Sequence, residues 1–240
     1  MTDLLMQSAD VARVGPGPRV IVLGRQGAGK GTQCARLATH LRVPHISTGD
    51  LFRAAIAAGT ALGEQARSYV DRGALVPDEL VLDVVAAHLG GTEARHAGYL
   101  LDGFPRTLAQ GQALFEVLGA AAADLAVEID VRTDDVLPRL SARRVCRECG
   151  AATSAPDAEE VSCPQCGGIA ARRDDDTEEA IARRLALYDE QSAPLLVWLA
   201  DQGILLTVDG TGAPDDVFDR LRGVVEPRLA RLHAAAPERS

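Results

Sequence analysis

The sequence predicts an α/β fold, a three-layer sandwich in which helices cover both faces of a five-stranded parallel sheet. Short apolar runs recur along the chain, and helical patterns, such as those over 31–41 and 180–202, lie between them. Strands that alternate with helices form parallel sheets with both faces buried. The first run also leads through a glycine-rich loop into a helix. The five runs are 19–24, 44–47, 99–102, 125–130 and 204–209.

Two segments interrupt this alternation, and we predict that they are insertions into the core. Residues 47–76 have the pattern of short helices without a strand, and residues 142–176 carry four of the five cysteines. We expect residues 1–18 to be a disordered extension and residues 227–240 to be a frayed tail. The predicted core comprises the remaining segments, 19–46, 77–141 and 177–226.

The charge and hydropathy of the chain exclude several classes of protein. The formal net charge of the 240 residues is −9, whereas nucleic-acid-binding proteins present broad basic faces. No stretch approaches the roughly 18 apolar residues of a membrane helix, and the first 19 residues lack the charged-then-apolar order of a secretory signal. We therefore expect a cytoplasmic protein that binds neither nucleic acid nor membranes.

The glycine-rich loop over 24–32 predicts a phosphate-binding site, because it has the pattern Gly-x4-Gly-Lys between a strand and a helix. Glycines let backbone N–H groups converge on phosphate oxygens, and the helix N-terminus adds partial positive charge. Lys30 is the only lysine among 25 lysine and arginine residues. Its compact ammonium fits where the planar fork of an arginine would crowd the loop. The alternative is an ordinary connection between strand and helix.

Two further segments carry groups that can contact phosphate, and each of them begins in a predicted strand and continues past its carboxyl end. Residues 46–55 include Arg53, although a serine or threonine at the start of this segment could simply cap a helix. Residues 100–107 lie at the carboxyl edge of the sheet, where ligands bind in open α/β folds. There Asp102 can hold Mg²⁺ through water and Arg106 can bind a phosphate. The alternative is that this segment is only a turn.

Arginines are concentrated at both edges of the cysteine-bearing insertion. An acidic protein needs such a concentration to bind polyphosphate. A solvated helix with ion pairs between residues i and i+4 is the alternative. The arginines are Arg143, Arg144, Arg172, Arg173, Arg183 and Arg184.

Four cysteines form two Cys-x2-Cys pairs and predict a structural Zn²⁺ site. Four thiolates close a tetrahedral zinc site and leave no position for water. A thioredoxin-like redox pair is the alternative. The remaining cysteine, Cys34, is expected to be a small buried apolar residue. The predicted zinc ligands are Cys146, Cys149, Cys163 and Cys166.

Taken together, these motifs resemble those of adenylate kinases of the long-lid, zinc-containing kind, from about residue 19 to residue 225. The matching strings are "GAGKGTQ", "ISTGDLFR", "GALVPDELV", "LLDGFPRT" with Gln110, "ARRVCRECG", "CPQCGG", "RRDDD" and "RRLALYDEQSAPL". The resemblance implies a phosphate-loop kinase core, a helical insertion that binds the nucleoside monophosphate, and a zinc-binding lid. It also implies the reaction ATP + AMP = 2 ADP, Mg²⁺ as cofactor, nucleotides as the partners, and a monomer.

The resemblance further implies which residues act in each site. ATP would be bound by Gly27, Ala28, Gly29, Lys30, Gly31, Thr32, Arg143 and Gly212. AMP would be bound by Thr48, Arg53, Ala74, Leu75, Val76, Gly103, Phe104, Pro105, Arg106, Gln110, Arg173 and Arg184. The catalytic charges would be Lys30, Arg106, Arg143, Arg173 and Arg184. Arg173, rather than Arg172, has the family's Arg-x-Asp-Asp spacing to Asp175 and Asp176.

The sequence also departs from the family's pattern. Gln26 replaces the usual proline of the loop, and the lid pair Ala152-Thr153 lacks the aromatic residue often found beside the adenine of ATP. Two rival interpretations are a kinase for UMP or CMP and a zinc-ribbon interaction module with an inactive phosphate loop. The first is disfavoured by Thr48 and Thr107, where such kinases tend to carry alanine and asparagine.

The histidines form no cluster in the sequence, and we expect them to be structural or surface residues. They are His40, His45, His88, His96 and His233.

Overall fold

The computed structural model describes residues 17–89, 97–119 and 122–235, and five of its strands lie where the five apolar runs predict them. The strands in chain order are β1 Arg19–Leu23, β2 His45–Ser47, β3 Tyr99–Asp102, β4 Leu125–Asp130, β5 Arg143–Cys146, β6 Ala152–Ser154, β7 Glu160–Ser162, β8 Ile169–Ala171 and β9 Leu205–Asp209. The central sheet has the order β2-β3-β1-β4-β9, and each neighbouring pair is parallel. The predicted fold class is confirmed.

The helices lie on both sides of this sheet, between the strands. They are α1 Lys30–Leu41, α2 Thr48–Ala57, α3 Ala61–Asp71, α4 Asp78–Leu89, α5 Leu108–Leu118, α6 Thr133–Ala142, α7 Glu178–Leu187, α8 Ala193–Asp201 and α9 Pro214–Ala235.

Strand β1 shows why the sheet is covered on both faces. Val20 and Val22 belong to one hydrophobic cluster, while Ile21 and Leu23 belong to another. Because side chains alternate along a strand, the two clusters lie on opposite faces. Helices α1, α6, α7 and α9 contribute to the first cluster, and α2, α3, α4, α5 and α8 to the second.

The helical insertion contains the helices α2 and α3. The Ser47 side chain accepts a hydrogen bond from the backbone N–H of Asp50, 3.3 Å away, and so caps α2. Thr60 caps α3 in the same way through Gly63. The capping interpretation of the serine is therefore confirmed, and it is compatible with Arg53 one turn further on.

The cysteine-bearing insertion folds as a separate antiparallel sheet, with strand order β6-β5-β8-β7. Its apolar cluster of buried residues contains only Cys146, Cys163 and Ala170 among the residues that the structure describes. A core this small is typical of sheets that a bound metal stabilises.

Two helical segments differ in detail from the predicted pattern. The segment 180–202 is not one continuous helix, because a π-helical turn, Tyr188–Ser192, separates α7 from α8. Pro194 has no backbone N–H to donate to the preceding turn, and a wider turn accommodates that loss. Helix α9 continues through Pro227 to Ala235, past the start of the predicted frayed tail. The predicted extension up to residue 16, His96, and the last five residues lie outside the described residues.

No helix among the described residues is long and apolar enough to cross a membrane.

Candidate active site

A cleft of about 660 Å³ opens at the carboxyl ends of the central strands, between the two insertions. Most of the residues predicted for nucleotide binding line it, although they come from widely separated parts of the chain. They are Gly27, Ala28, Gly29, Lys30, Gly31, Thr32, Arg53, Ala74, Leu75, Val76, Asp102, Gly103, Pro105, Arg106, Arg143, Arg173, Arg184 and Gly212. Thr48, Phe104 and Gln110 are not among the lining residues.

The phosphate loop has a backbone that requires glycine at two positions. Gly27 and Gly29 have φ angles of +83° and +93°, which other residues rarely adopt. A Cβ atom on Gly27 would also lie 2.9 Å from Leu140, so this part of the loop has no room for a side chain. The loop is therefore shaped by both backbone conformation and packing, and it leads directly into the N-terminus of α1.

Lys30 points its ammonium back into the loop. Its Nζ donates hydrogen bonds to the carbonyl oxygens of Gly24 and Arg25, at 2.6 and 2.9 Å. Burial lowers the pKa of Lys30 from 10.5 to about 8, although the nearby Asp102 carboxylate opposes that shift. A phosphate group beside this ammonium would stabilise the charged form.

The arginines give the cleft an excess of positive charge. Burial, followed by the nearby Arg184 and Arg53, lowers the pKa of Arg106 to about 10. Burial, followed by Arg53 and Arg143, lowers the pKa of Arg173 to about 10 as well. Because these guanidinium groups repel one another, an anion in the cleft is electrostatically favoured.

Two aspartates of the lid, which is the cysteine-bearing insertion over residues 142–176, orient the arginines. The Asp176 side chain is completely buried and accepts hydrogen bonds from Arg143, with Nε at 3.0 Å. Asp175 accepts one from Arg184 Nη2 at 2.7 Å and lies 3.7 Å from Arg53. Despite burial, which acts in the opposite direction, the Arg184 guanidinium lowers the pKa of Asp175. These pairs hold the helical insertion and the lid around one cleft.

The structure distinguishes between neighbouring arginines that the sequence could only separate by spacing. Arg173 and Arg184 line the cleft, whereas Arg172 and Arg183 do not. Arg172 donates instead to the backbone carbonyl of Asp176 at 3.2 Å. Arg144 is also turned away, since its guanidinium donates to three backbone carbonyls. These differences supply matched controls for mutagenesis.

Gln110 is engaged with protein groups on both sides of its amide. Its Oε1 accepts a hydrogen bond from the backbone N–H of Arg106 at 2.7 Å, and its Nε2 donates to Asp78 at 2.6 Å. The residue is 1% exposed. Thr48 donates to the carbonyl of Gly103 at 3.1 Å. Both residues therefore support the segment that carries Arg106 in this structure.

Reasoning from the sequence assigned no role in the site to two residues at the cleft, because it identified Gln26 only as a departure from the family's loop and missed Arg139. Gln26 donates from Nε2 to Asp176 at 3.0 Å, so it joins the phosphate loop to the lid. Arg139 lines the cleft and donates to the carbonyl of Gly210 at 3.1 Å. Arg139 lies about one helical turn before Arg143, and that spacing is a signal that could have identified it.

Asp102 ends β3 and lies on the wall of the cleft, 7% exposed. Oxygen ligands such as a carboxylate are those that Mg²⁺ prefers, usually with several retained waters. The residue type and position therefore fit a water-mediated Mg²⁺ beside a phosphate chain. His45 lies close by, with Nε2 3.3 Å from Asp102 Oδ2.

The four lid cysteines form one cluster. Their Sγ atoms all lie within 4.8 Å of one another, and the pairs Cys146–Cys166 and Cys149–Cys163 are 3.5 and 3.7 Å apart. A tetrahedral zinc with Zn–S bonds of about 2.3 Å separates its sulfur atoms by roughly 3.8 Å. The donor set and its spacing fit a structural zinc.

This chain combines a strand–loop–helix phosphate site with a cleft of converging arginines and two flanking insertions. Together these features define the phosphate-loop kinases of small nucleotides. The family model for adenylate kinase matches residues 22–204. An adenylate kinase of Thermodesulfovibrio yellowstonii is 45% identical over 215 residues, covering 88% of this chain and 100% of that protein. An adenylate kinase of Agathobacter rectalis is 43% identical over 212 residues, covering 86% and 99%. The chain belongs to the adenylate kinase family and is a phosphotransferase.

Proposed function

We propose that this protein catalyses the reversible, Mg²⁺-dependent reaction ATP + AMP = 2 ADP in the cleft. The observation that carries the proposal is the convergence of Lys30, Arg106, Arg143, Arg173 and Arg184 on one cavity. These five cations come from the phosphate loop, the segment that follows β3 and the two edges of the lid. Two bound phosphate chains would neutralise their positive charges.

ATP is assigned to the side of the phosphate loop. Residues 27–32 would surround its phosphates with backbone N–H groups, and Lys30 would contact the group that is transferred. Arg143 would contact the phosphates from the lid, and the carbonyl of Gly212 would contact the adenine. Gly212 has a φ angle of +97° and lines the cleft, which supports this assignment.

AMP is assigned to the side of the helical insertion. Arg53, Arg106, Arg173 and Arg184 would bind its phosphate, and the backbone of 74–76 and 103–105 would frame the nucleoside. Thr48 and Gln110 would reach AMP only by exchanging the hydrogen bonds that they make to Gly103, Arg106 and Asp78.

The attacking group in this reaction is a phosphate oxygen of AMP, so no strong general base is needed. Catalysis then depends on positioning the two phosphate chains and on stabilising charge on the transferred phosphoryl group.

The lid and the helical insertion would close over the nucleotides and exclude water that would otherwise hydrolyse ATP. Two hydrogen bonds of this structure favour such a closed form. Gln26 joins the phosphate loop to Asp176 of the lid, and Arg184 Nη2 donates to the carbonyl of Val70 in the helical insertion at 3.0 Å.

Two metal ions have distinct places in this proposal. Asp102 would hold Mg²⁺ through water, and the ion would neutralise charge on the ATP phosphates. The four lid cysteines would hold a structural Zn²⁺ that cross-links a sheet too small to bury a core.

An acceptor panel with matched variants tests the proposal. We expect kcat/KM with ATP to be highest for AMP and much lower for CMP, UMP and GMP. Arg173→Ala should lower kcat by about 10²-fold or more, because charge on the transferred group is no longer stabilised. Arg172→Ala, which removes a neighbouring charge outside the cleft, should change kcat by less than about threefold. A preference for UMP or CMP would favour the rival kinase, and equal losses in the two variants would contradict the assigned roles.

A further inference from the structure

We propose that Cys34, His45 and Asp102 form a second metal-binding site, suited to a thiophilic divalent cation such as Zn²⁺. The sulfur, an imidazole nitrogen and a carboxylate oxygen of these residues all lie within 4.8 Å of one another. This cluster is separate from the four cysteines of the lid. Nothing in the sequence points to it, because its members come from three separate segments, and we expected Cys34 to act only in packing.

The fold brings the three residues together. His45 begins β2 and Asp102 ends β3, and in the parallel register His45 lies beside Leu100 while Ser47 lies beside Asp102. Residues two apart on a strand share a face, so His45 and Asp102 point to the same side of the sheet. Helix α1 packs against both strands and presents Cys34 one turn after Lys30.

The donor set favours zinc over magnesium. Thiolate, imidazole and carboxylate are all zinc ligands, whereas Mg²⁺ binds oxygen almost exclusively. Three protein ligands leave a fourth position for water, as in open zinc sites. Burial raises the pKa of the Cys34 thiol, so the metal would have to displace its proton. One thiolate and one carboxylate would then balance the two charges of the ion.

An ion would enter from the nucleotide cleft past Asp102, the one member of the cluster that lines it. Asp102 lines the cleft, and the side chains of His45 and Asp102 are 24% and 10% exposed. Cys34 is fully buried behind them, so it would complete the site from the side of the core. Purely structural roles for the cluster, with Cys34 in packing and His45 in a pair with Asp102, predict no affinity for zinc.

Occupation of this site would inhibit the enzyme, an expectation that rests on the proposed role of Asp102 in holding Mg²⁺. A zinc ion bound to the Asp102 carboxylate would withdraw that ligand and neutralise the negative charge that faces Lys30. The inhibition should weaken as Mg²⁺ is raised, because the two ions compete for one carboxylate.

Counting bound zinc tests the site without relying on activity. The lid of the full-length protein is first saturated with Zn²⁺, excess metal is removed, and equilibrium dialysis follows at buffered free Zn²⁺. We expect the wild type to bind a second equivalent, and Cys34→Ala and Cys34→Ser to bind it more than about tenfold more weakly, since even outer-sphere partners change metal affinity by that much.

The control His40→Gln removes a different histidine–carboxylate pair, to Glu226 at 2.7 Å, and should retain the second equivalent. A wild type that binds one zinc, or cysteine variants that bind two with unchanged affinity, would overturn the site.

Activity at the same free Zn²⁺ tests the consequence. The wild type should lose activity over the range in which the second zinc binds, while Cys34→Ala should keep its zinc-free activity and resist inhibition. Zinc that binds without inhibiting would overturn the regulatory part of the proposal. A protein with no kinase activity would refute the proposed function, and the zinc count would still decide whether the site exists.

Discussion

The lowered pKa of Lys30 predicts that ATP binding takes up a proton. With a pKa of about 8 in the free protein, about half of the Lys30 side chains are neutral at pH 8. Phosphate beside the ammonium favours the charged form, so binding of MgATP at pH 8 should take up about 0.5 proton per site. At pH 6.5 Lys30 is already protonated, and the uptake through this group should fall to nearly zero.

Isothermal titration calorimetry in two buffers with different ionisation enthalpies measures this uptake. The matched control is Lys30→Met, which has no ammonium to titrate and should show no rise in uptake between pH 6.5 and pH 8. Wild-type uptake that does not change with pH, or an equal change in Lys30→Met, would refute the reasoning.

The lowered pKa of Lys30 also makes the stability of the folded protein depend on pH. The folded-state pKa lies below the ordinary value of 10.5, so between about pH 8 and 10.5 the unfolded chain binds more protons at Lys30 than the folded chain does. Lys30 therefore disfavours folding at pH 7, and this effect diminishes as the pH rises through the window. Lys30→Met should melt at a higher temperature than the wild type at pH 7, with a smaller difference at pH 10. An equal difference at both pH values would contradict the assigned pKa.

The remaining predictions concern the loop and the lid. Lys30→Arg should fold but lose about 10²-fold or more in kcat, because a guanidinium cannot reproduce the point contacts of Nζ in the loop; near-normal turnover would contradict this. Gln26→Ala removes a hydrogen bond to Asp176 and should raise the Kd for ATP about fivefold, the equivalent of about 1 kcal/mol, and an unchanged Kd in calorimetry would show that the contact is not used. Zinc removal should reduce the protection of residues 142–176 from hydrogen exchange and leave exchange in the central sheet unchanged; re-added zinc should restore protection, and a lid unaffected by verified removal would contradict a structural zinc.

The central sheet and the charged wall of the cleft could be predicted from the sequence for a common reason. Each depends on local patterns that tolerate little variation, namely apolar runs, a glycine loop around Lys30, and arginines at fixed spacings. The ends of parallel strands must meet at one edge of the sheet, so groups that follow Ser47 and Asp102 were expected to share a site.

Features that depend on a single tertiary contact could not be predicted. Gln26 contacts Asp176 across 150 positions of sequence, and only the tertiary packing of the phosphate loop against residues 142–176 brings them together. Gln110 could be recognised as a polar residue one turn after Arg106, but its hydrogen bond to Asp78 depends on where α4 packs. The histidines form no cluster in the sequence, but β2 and β3 set His45 beside Asp102 in space.

The most direct test of the proposed activity is to supply the purified protein with ADP and Mg²⁺ alone and to follow the nucleotides by phosphorus NMR. We expect ATP and AMP to appear in equal amounts, with Arg172→Ala behaving like the wild type and Arg173→Ala strongly impaired. No conversion of ADP by the folded, zinc-loaded protein would contradict the proposal that this cleft transfers a phosphoryl group between two adenine nucleotides.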